Sequence, residues 1–131
     1  MTMQVSAYRF WRDTRGATAM ELALLLPVFV MLIFGLINTS LMAGALSGMH
    51  YAVEEASRCY AVNKTTCGSV TATRTYAQAK YRGPGPEPTF DITSAGCGHT
   101  VTATTTFKLE LALTVIDVPL SATACYPGVE A

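Results

Sequence analysis

The stretch from Ala17 to Ile37 constrains this chain more than any other, being apolar throughout except for Thr18 and Glu21. Wound as an α-helix it would rise ~32 Å, against a hydrocarbon core ~30 Å thick, so it is long enough to span a bilayer. It begins directly after Gly16, and the residues before it carry Arg9, Arg12 and Arg15 against one acid, Asp13. Arginines flanking a spanning helix stay on the cytoplasmic side. The expected topology is a single pass through the inner membrane, with the N-terminus cytoplasmic and the C-terminal domain periplasmic or extracellular.

Three regions follow from this reading: a cytoplasmic leader over 1–16, the membrane part of a helix over 17–37, and an extracytoplasmic region over 38–131. The 50% hydrophobic content is inflated by the spanning segment, and 94 residues (131 minus 37) remain for the exported part. A domain of that size buries a modest core and benefits from covalent staples, for which four cysteines are available. The whole chain has nine basic and nine acidic residues; removing residues 1–16 takes away three arginines and Asp13, leaving six against eight. The exported part has no basic patch with interleaved aromatics, so nucleic acid is not an expected partner.

Beyond Ile37 the helical pattern continues, because residues 38–62 contain no proline and keep Leu41, Ala45, Gly48 or Met49, Ala52, Val53, Ala56 and Tyr60 at helical spacings. One helix of ~69 Å is expected from about Ala17 to Val62, its second half lying beyond the bilayer against the exported domain or sister subunits. Gly44 and Gly48 form a small-xxx-small pair suited to close helix approach. A second helix is expected over Ser69–Arg82, with Ser69 as N-cap and Gly83-Pro84 as the stop. The breaker cluster Gly83–Pro88 marks the change to strand composition. Four strands are expected: Phe90–Thr93, Thr100–Phe107, Lys108–Ile116 and Leu120–Cys125. In the second, Val101, Ala103 and Phe107 alternate with threonines; in the third, Leu109, Leu111, Leu113 and Val115 share a face. The fold class is α+β, a long N-terminal helix, a short second helix and a small antiparallel sheet.

Two residues in the apolar run invite a functional reading. Pro27 deletes a helical hydrogen bond, which gives either a plain kink or a bend that helps subunits pack. Glu21 is sharper, since an acid at the centre of a membrane helix costs about 2.5–3.5 kcal/mol and somewhat less near the interface. Its compensation is either local, through a capping box from Thr18 to Glu21, or supplied by a new α-amine on Ala17. The second route requires cutting the Gly16–Ala17 bond, after which the amine of one subunit would meet Glu21 of its neighbour and set their axial register.

The cysteines run C-x7-C followed by two isolated residues, without the C-x2-C knuckles of zinc sites. An even count in an exported domain favours disulfides, and three connectivities are open. The favoured one joins Cys59 to Cys67 in a short loop at the helix exit and Cys97 to Cys125 between strands; the alternative leaves one pair reduced or linked between chains. His50 is expected on the helix surface and His99 in a loop, neither at ligand spacing, so no metal or other cofactor is expected. With no nucleophile elbow, phosphate loop, metalloprotease helix or paired catalytic carboxylates in the sequence, catalytic residues and enzymatic activity are not expected either.

The segment Arg15-Gly16-Ala17-Thr18-Ala19-Met20-Glu21-Leu22, running on to Pro27, resembles the start of a TadE-like protein, a minor pseudopilin family of tight-adherence (Tad/Flp) pilus systems. The helix exit around Arg58-Cys59 and Cys67-Gly68 and the threonine-rich strands ending Cys125-Tyr126-Pro127 are similar to that family as well. The resemblance implies processing after Gly16 by a prepilin peptidase, a membrane aspartic protease, which places Glu21 at the fifth mature position. It implies other pilin and pseudopilin subunits, the inner-membrane pilus assembly platform and membrane lipid as partners, and a part in pilus assembly and adhesion. Major Flp pilins are shorter and usually carry tyrosine after the glutamate, so Leu22 and the larger exported domain favour a minor subunit. The competing expectation is an anchored or secreted disulfide-bonded binding domain with an ordinary signal peptide, cut near Ala43-Gly44-Ala45.

Overall fold

The computed structural model describes residues 15–111 and 114–128, and the side chains within them other than those of residues 15–18, 95 and 111. Leader residues 1–14, with Arg9, Arg12 and Asp13, lie outside the described residues, as does Leu113. The elements in order are α1 (Arg15–Val62), α2 (Val70–Lys80), β1 (Thr89–Ala95), β2 (Gly98–Leu111) and β3 (Thr114–Tyr126). The chain divides into two compact units, Met1–Leu36 and Ile37–Ala131.

The first unit is helical from Arg15, and the helix passes through Pro27. Its large side chains are exposed, Leu24 and Leu36 each by 72%. Because residues 15–17 are already helical, Thr18 is not the N-cap, so the expected capping box from Thr18 to Glu21 is absent from the uncut chain.

In the second unit one stripe of α1 is buried: Ala45, Met49, Ala52, Val53 and Ala56 recur at the three- and four-residue spacings of a single helix face. Leu41, expected on this stripe, is 43% exposed, and Met42 packs against the core in its place. Met42 lies three residues before Ala45 and so extends the buried row, whereas Leu41 is turned toward its edge.

Helix α1 gives way to a tight turn in which Asn63 N–H donates to Cys59 O at 2.8 Å and Cys67 N–H to Asn63 O at 2.9 Å. Asn63 Oδ1 also accepts from Thr66 N–H at 3.1 Å. Helix α2 then starts on Ser69, whose hydroxyl accepts from Ala72 N–H at 3.2 Å, satisfying one of the orphan donors of the first turn. It ends at Lys80, two residues before the expected Arg82, with Tyr81 as its extended C-cap. Thr73 and Ala77 are its buried positions, and Arg74 Nε donates to Phe90 O at 2.9 Å, tying α2 to β1.

The sheet is antiparallel in the order β1-β2-β3, three strands where four were expected. The stretches 100–107 and 108–116 are not separate strands, since β2 runs unbroken from Gly98 to Leu111 and β3 begins at Thr114. Its parity explains this: Val101, Ala103, Thr105, Phe107 and Leu109 alternate without a break, so nothing interrupts the pleat at Lys108. Reversal after Leu111 pairs Leu109 with Ile116 and Glu110 with Val115, which puts Val115 on the opposite face from Leu109. Val115 is accordingly exposed and does not share the face expected of it.

The core face joins Phe90, Ala103 and Ala122 in one cross-strand row and Ile92, Val101 and Ala124 in the next, so that Phe90 on β1 meets alanines on β2 and β3. The other face is a hydroxyl surface in which Thr89 and Thr104 share a hydrogen bond of 2.9 Å and Thr102 and Thr123 one of 3.2 Å.

Candidate functional site

Every large apolar side chain of the first unit from Met20 to Leu36 is exposed, with Glu21 among them. The helix contains a stretch long and apolar enough to cross a membrane, with mean hydropathy 2.5, and none of that stretch is buried by the rest of the chain. Exposed leucine, phenylalanine and valine side chains on this scale need either lipid or other apolar helices to cover them. Gly16 and Ala17 are helical, at the start of the described part of α1. Their side-chain surroundings are outside the described residues.

The small-xxx-small pair has a different use from the helix approach expected of it. A Cβ on Gly48 would stand 2.9 Å from Gly83 N and 3.0 Å from Gly83 Cα, and one on Gly44 would stand 3.5 Å from the Pro84 ring. The two glycines thus admit the turn that follows α2 in the same chain. Tyr81 closes this contact, its hydroxyl donating to Pro84 O at 3.1 Å. Burial raises the Tyr81 pKa above its ordinary value, because the phenolate would lose hydration that the neutral phenol does not need.

Disulfides join Cys59 to Cys67 with Cα atoms 5.7 Å apart and Cys97 to Cys125 with Cα atoms 6.4 Å apart. The first closes the turn that ends α1, and the second ties the β1–β2 connection to the end of β3. Next to them, His99 lies on β2 rather than in the loop expected for it. Its ring meets Tyr60 edge-on at 4.6 Å, and Nδ1 is 3.1 Å from Ser94 Oγ. Lys64 Nζ lies 4.8 Å from the Tyr60 ring centre and donates to the Tyr60 carbonyl. His50 is exposed on α1. Among the described residues no group of three or more His, Cys, Asp or Glu side chains is arranged to hold a metal ion. The sequence held no signal for the Tyr60–His99 contact, since 39 residues (99 minus 60) separate the partners.

The described chain is thus an α+β protein with one exposed membrane-length helix and a small disulfide-bonded domain. Residues 16–58 match the family described as TadE-like protein, the one that the segment from Arg15 to Pro27 resembles. The match covers 43 of the 131 residues and points to a connection with Tad pilus systems. The match ends at Arg58, so the likeness read in Cys59–Gly68 and in the last strand lies beyond it. No curated protein and no solved structure matches the chain.

Proposed function

We propose that this chain is a minor pseudopilin of a Tad/Flp-type pilus, inserted in the inner membrane with its N-terminus cytoplasmic and cut by a prepilin peptidase after Gly16. The observation that carries the reading is Glu21 set among exposed apolar side chains, a few residues after a glycine and within the segment matched to the TadE-like family. A carboxylate so placed calls for a cationic partner in low dielectric, and trimming the leader creates one at Ala17. The bond between Gly16 and Ala17 is helical in the described chain, so a peptidase would have to unwind the helix there to bring that bond into an extended conformation. The processed subunit then serves pilus assembly and adhesion alongside other pilin and pseudopilin subunits and the assembly platform.

The signal-peptide alternative draws on the same feature, since an apolar helix near an N-terminus is also what a secretory signal presents. Against it, cleavage near Ala43-Gly44-Ala45 would fall where Ala45 is part of the core and Gly44 lies against Pro84. Mass spectrometry of the mature protein tests both readings. A terminus at Ala17 is expected, and Gly16→Trp should leave the full-length precursor and abolish piliation. Native protein that retains Met1, or that begins beyond Gly44, overturns the proposal.

A further inference from the structure

The two disulfides differ in what controls thiol–disulfide exchange, which is access to a sulfur and the stability of the thiolate that leaves. Cys67 is fully buried and Cys59 nearly so, the pair enclosed beneath the turn that ends α1. Cys97 is exposed in the two-residue connection Gly96-Cys97 between β1 and β2, and Cys125 is half-buried near the end of β3. Thr100 stands directly across from Cys125 in the ladder. Its hydroxyl donates to Cys125 Sγ at 3.3 Å and lies 3.6 Å from Cys97 Sγ. One sulfur is therefore open to attack, and the other has a donor already in place for the charge it would acquire as a leaving group.

We propose that Cys97–Cys125 is a thiol–disulfide exchange site that accepts electrons from a dithiol reductant, with attack directed to Cys97, while Cys59–Cys67 stays closed in the folded chain. One thiolate of the dithiol attacks Cys97 Sγ, forming a mixed disulfide as the Cys97–Cys125 bond breaks. The electron pair of that bond passes to Cys125 Sγ, which leaves as a thiolate bonded by the Thr100 hydroxyl. The second thiol of the reductant, deprotonated, displaces Cys97 as a thiolate. The reductant ends as a disulfide, and both cysteines take protons from water. Opening the bond releases the β1–β2 connection from the end of β3, where Gly98 packs closely on the Tyr126 carbonyl and Gly128.

The test uses the full-length chain in detergent micelles without denaturant. Dithiothreitol is added for increasing times, free thiols are trapped with iodoacetamide, and the labelled cysteines are located by peptide mass spectrometry. Cys97 and Cys125 should be labelled at least about tenfold faster than Cys59 and Cys67. Reduced glutathione, a monothiol, arrests the reaction at the first step, and its adduct should be found on Cys97 with Cys125 alkylated. Thr100→Val, which keeps the β-branched shape but removes the donor, should slow exchange about threefold to tenfold. Equal labelling rates for the two pairs in the folded wild-type chain, or a glutathione adduct chiefly on Cys125, would overturn the proposal whatever the behaviour of the variant.

Discussion

Helix α1 carries two apolar regions that solve opposite problems with the same backbone. From Met20 to Ile37 the apolar side chains are large, with Leu22, Leu24, Phe29, Met31 and Phe34 all exposed. From Ala45 to Ala56 the buried side chains are mostly small, three alanines beside Met49 and Val53. Small residues let the turn after α2 approach the helix closely, with Gly48 against Gly83. Large aliphatic side chains hold neighbours away and present a continuous greasy surface suited to lipid chains or sister helices. Hydrophobicity alone does not say which region enters the protein's own core; side-chain size does.

That contrast can be broken most severely at Val53, which is fully buried. Val53→Asp places an uncompensated charge in the core and should cost about 4 kcal/mol or more, enough to abolish the cooperative thermal transition of the full chain followed by circular dichroism in micelles. Gly48→Ala tests the close approach instead. Its new methyl meets backbone atoms of Gly83 that cannot rotate away, so a loss of about 1–3 kcal/mol is expected in urea titrations. A neutral result would mean that the turn after α2 is free to retreat from the helix.

Tyr81 sharpens the same contact through pH. Because burial raises its pKa, the folded chain holds the phenolic proton more tightly than the unfolded chain does. The contribution to stability is complete below about pH 10, the pKa of an unfolded tyrosine, and is lost as pH rises through the folded value. Tyr81→Phe should therefore start lower, by about 1 kcal/mol for the lost hydrogen bond to Pro84, yet fall less between pH 8 and pH 11 than the wild type. Parallel slopes in urea midpoints across that range would remove Tyr81 from the explanation. The smallest effect belongs to the other region: Leu24→Ala should change the same unfolding midpoint by less than about 0.5 kcal/mol, because Leu24 packs against nothing in the core.

Much of this architecture was legible because it rests on local rules. The length and apolar character of residues 17–37, the N-cap at Ser69, the breakers from Gly83 to Pro88 and the alternation through Val101 and Ala103 are properties of neighbours in the chain. The strand count was misread although its signal was present: the unbroken parity from Val101 to Leu109 already argued for one strand. Of the residues that carried the family resemblance, those from Gly16 to Arg58 fall within the match, whereas Cys59–Gly68 and the last strand do not.

The amino-acid order alone determined where helix and strand composition begin and end and which segment is apolar enough to enter a membrane, since backbone propensity and hydropathy act over a few residues. Only the tertiary structure decided that Met42 rather than Leu41 joins the core, that Gly48 receives the Gly83 turn, that Val115 faces away from Leu109, and that Thr100 stands beside the Cys97–Cys125 sulfurs. Each of these depends on groups brought together by packing or by a chain reversal. Their contacts are fixed by complementary size and by strand register, and no local window of sequence contains either.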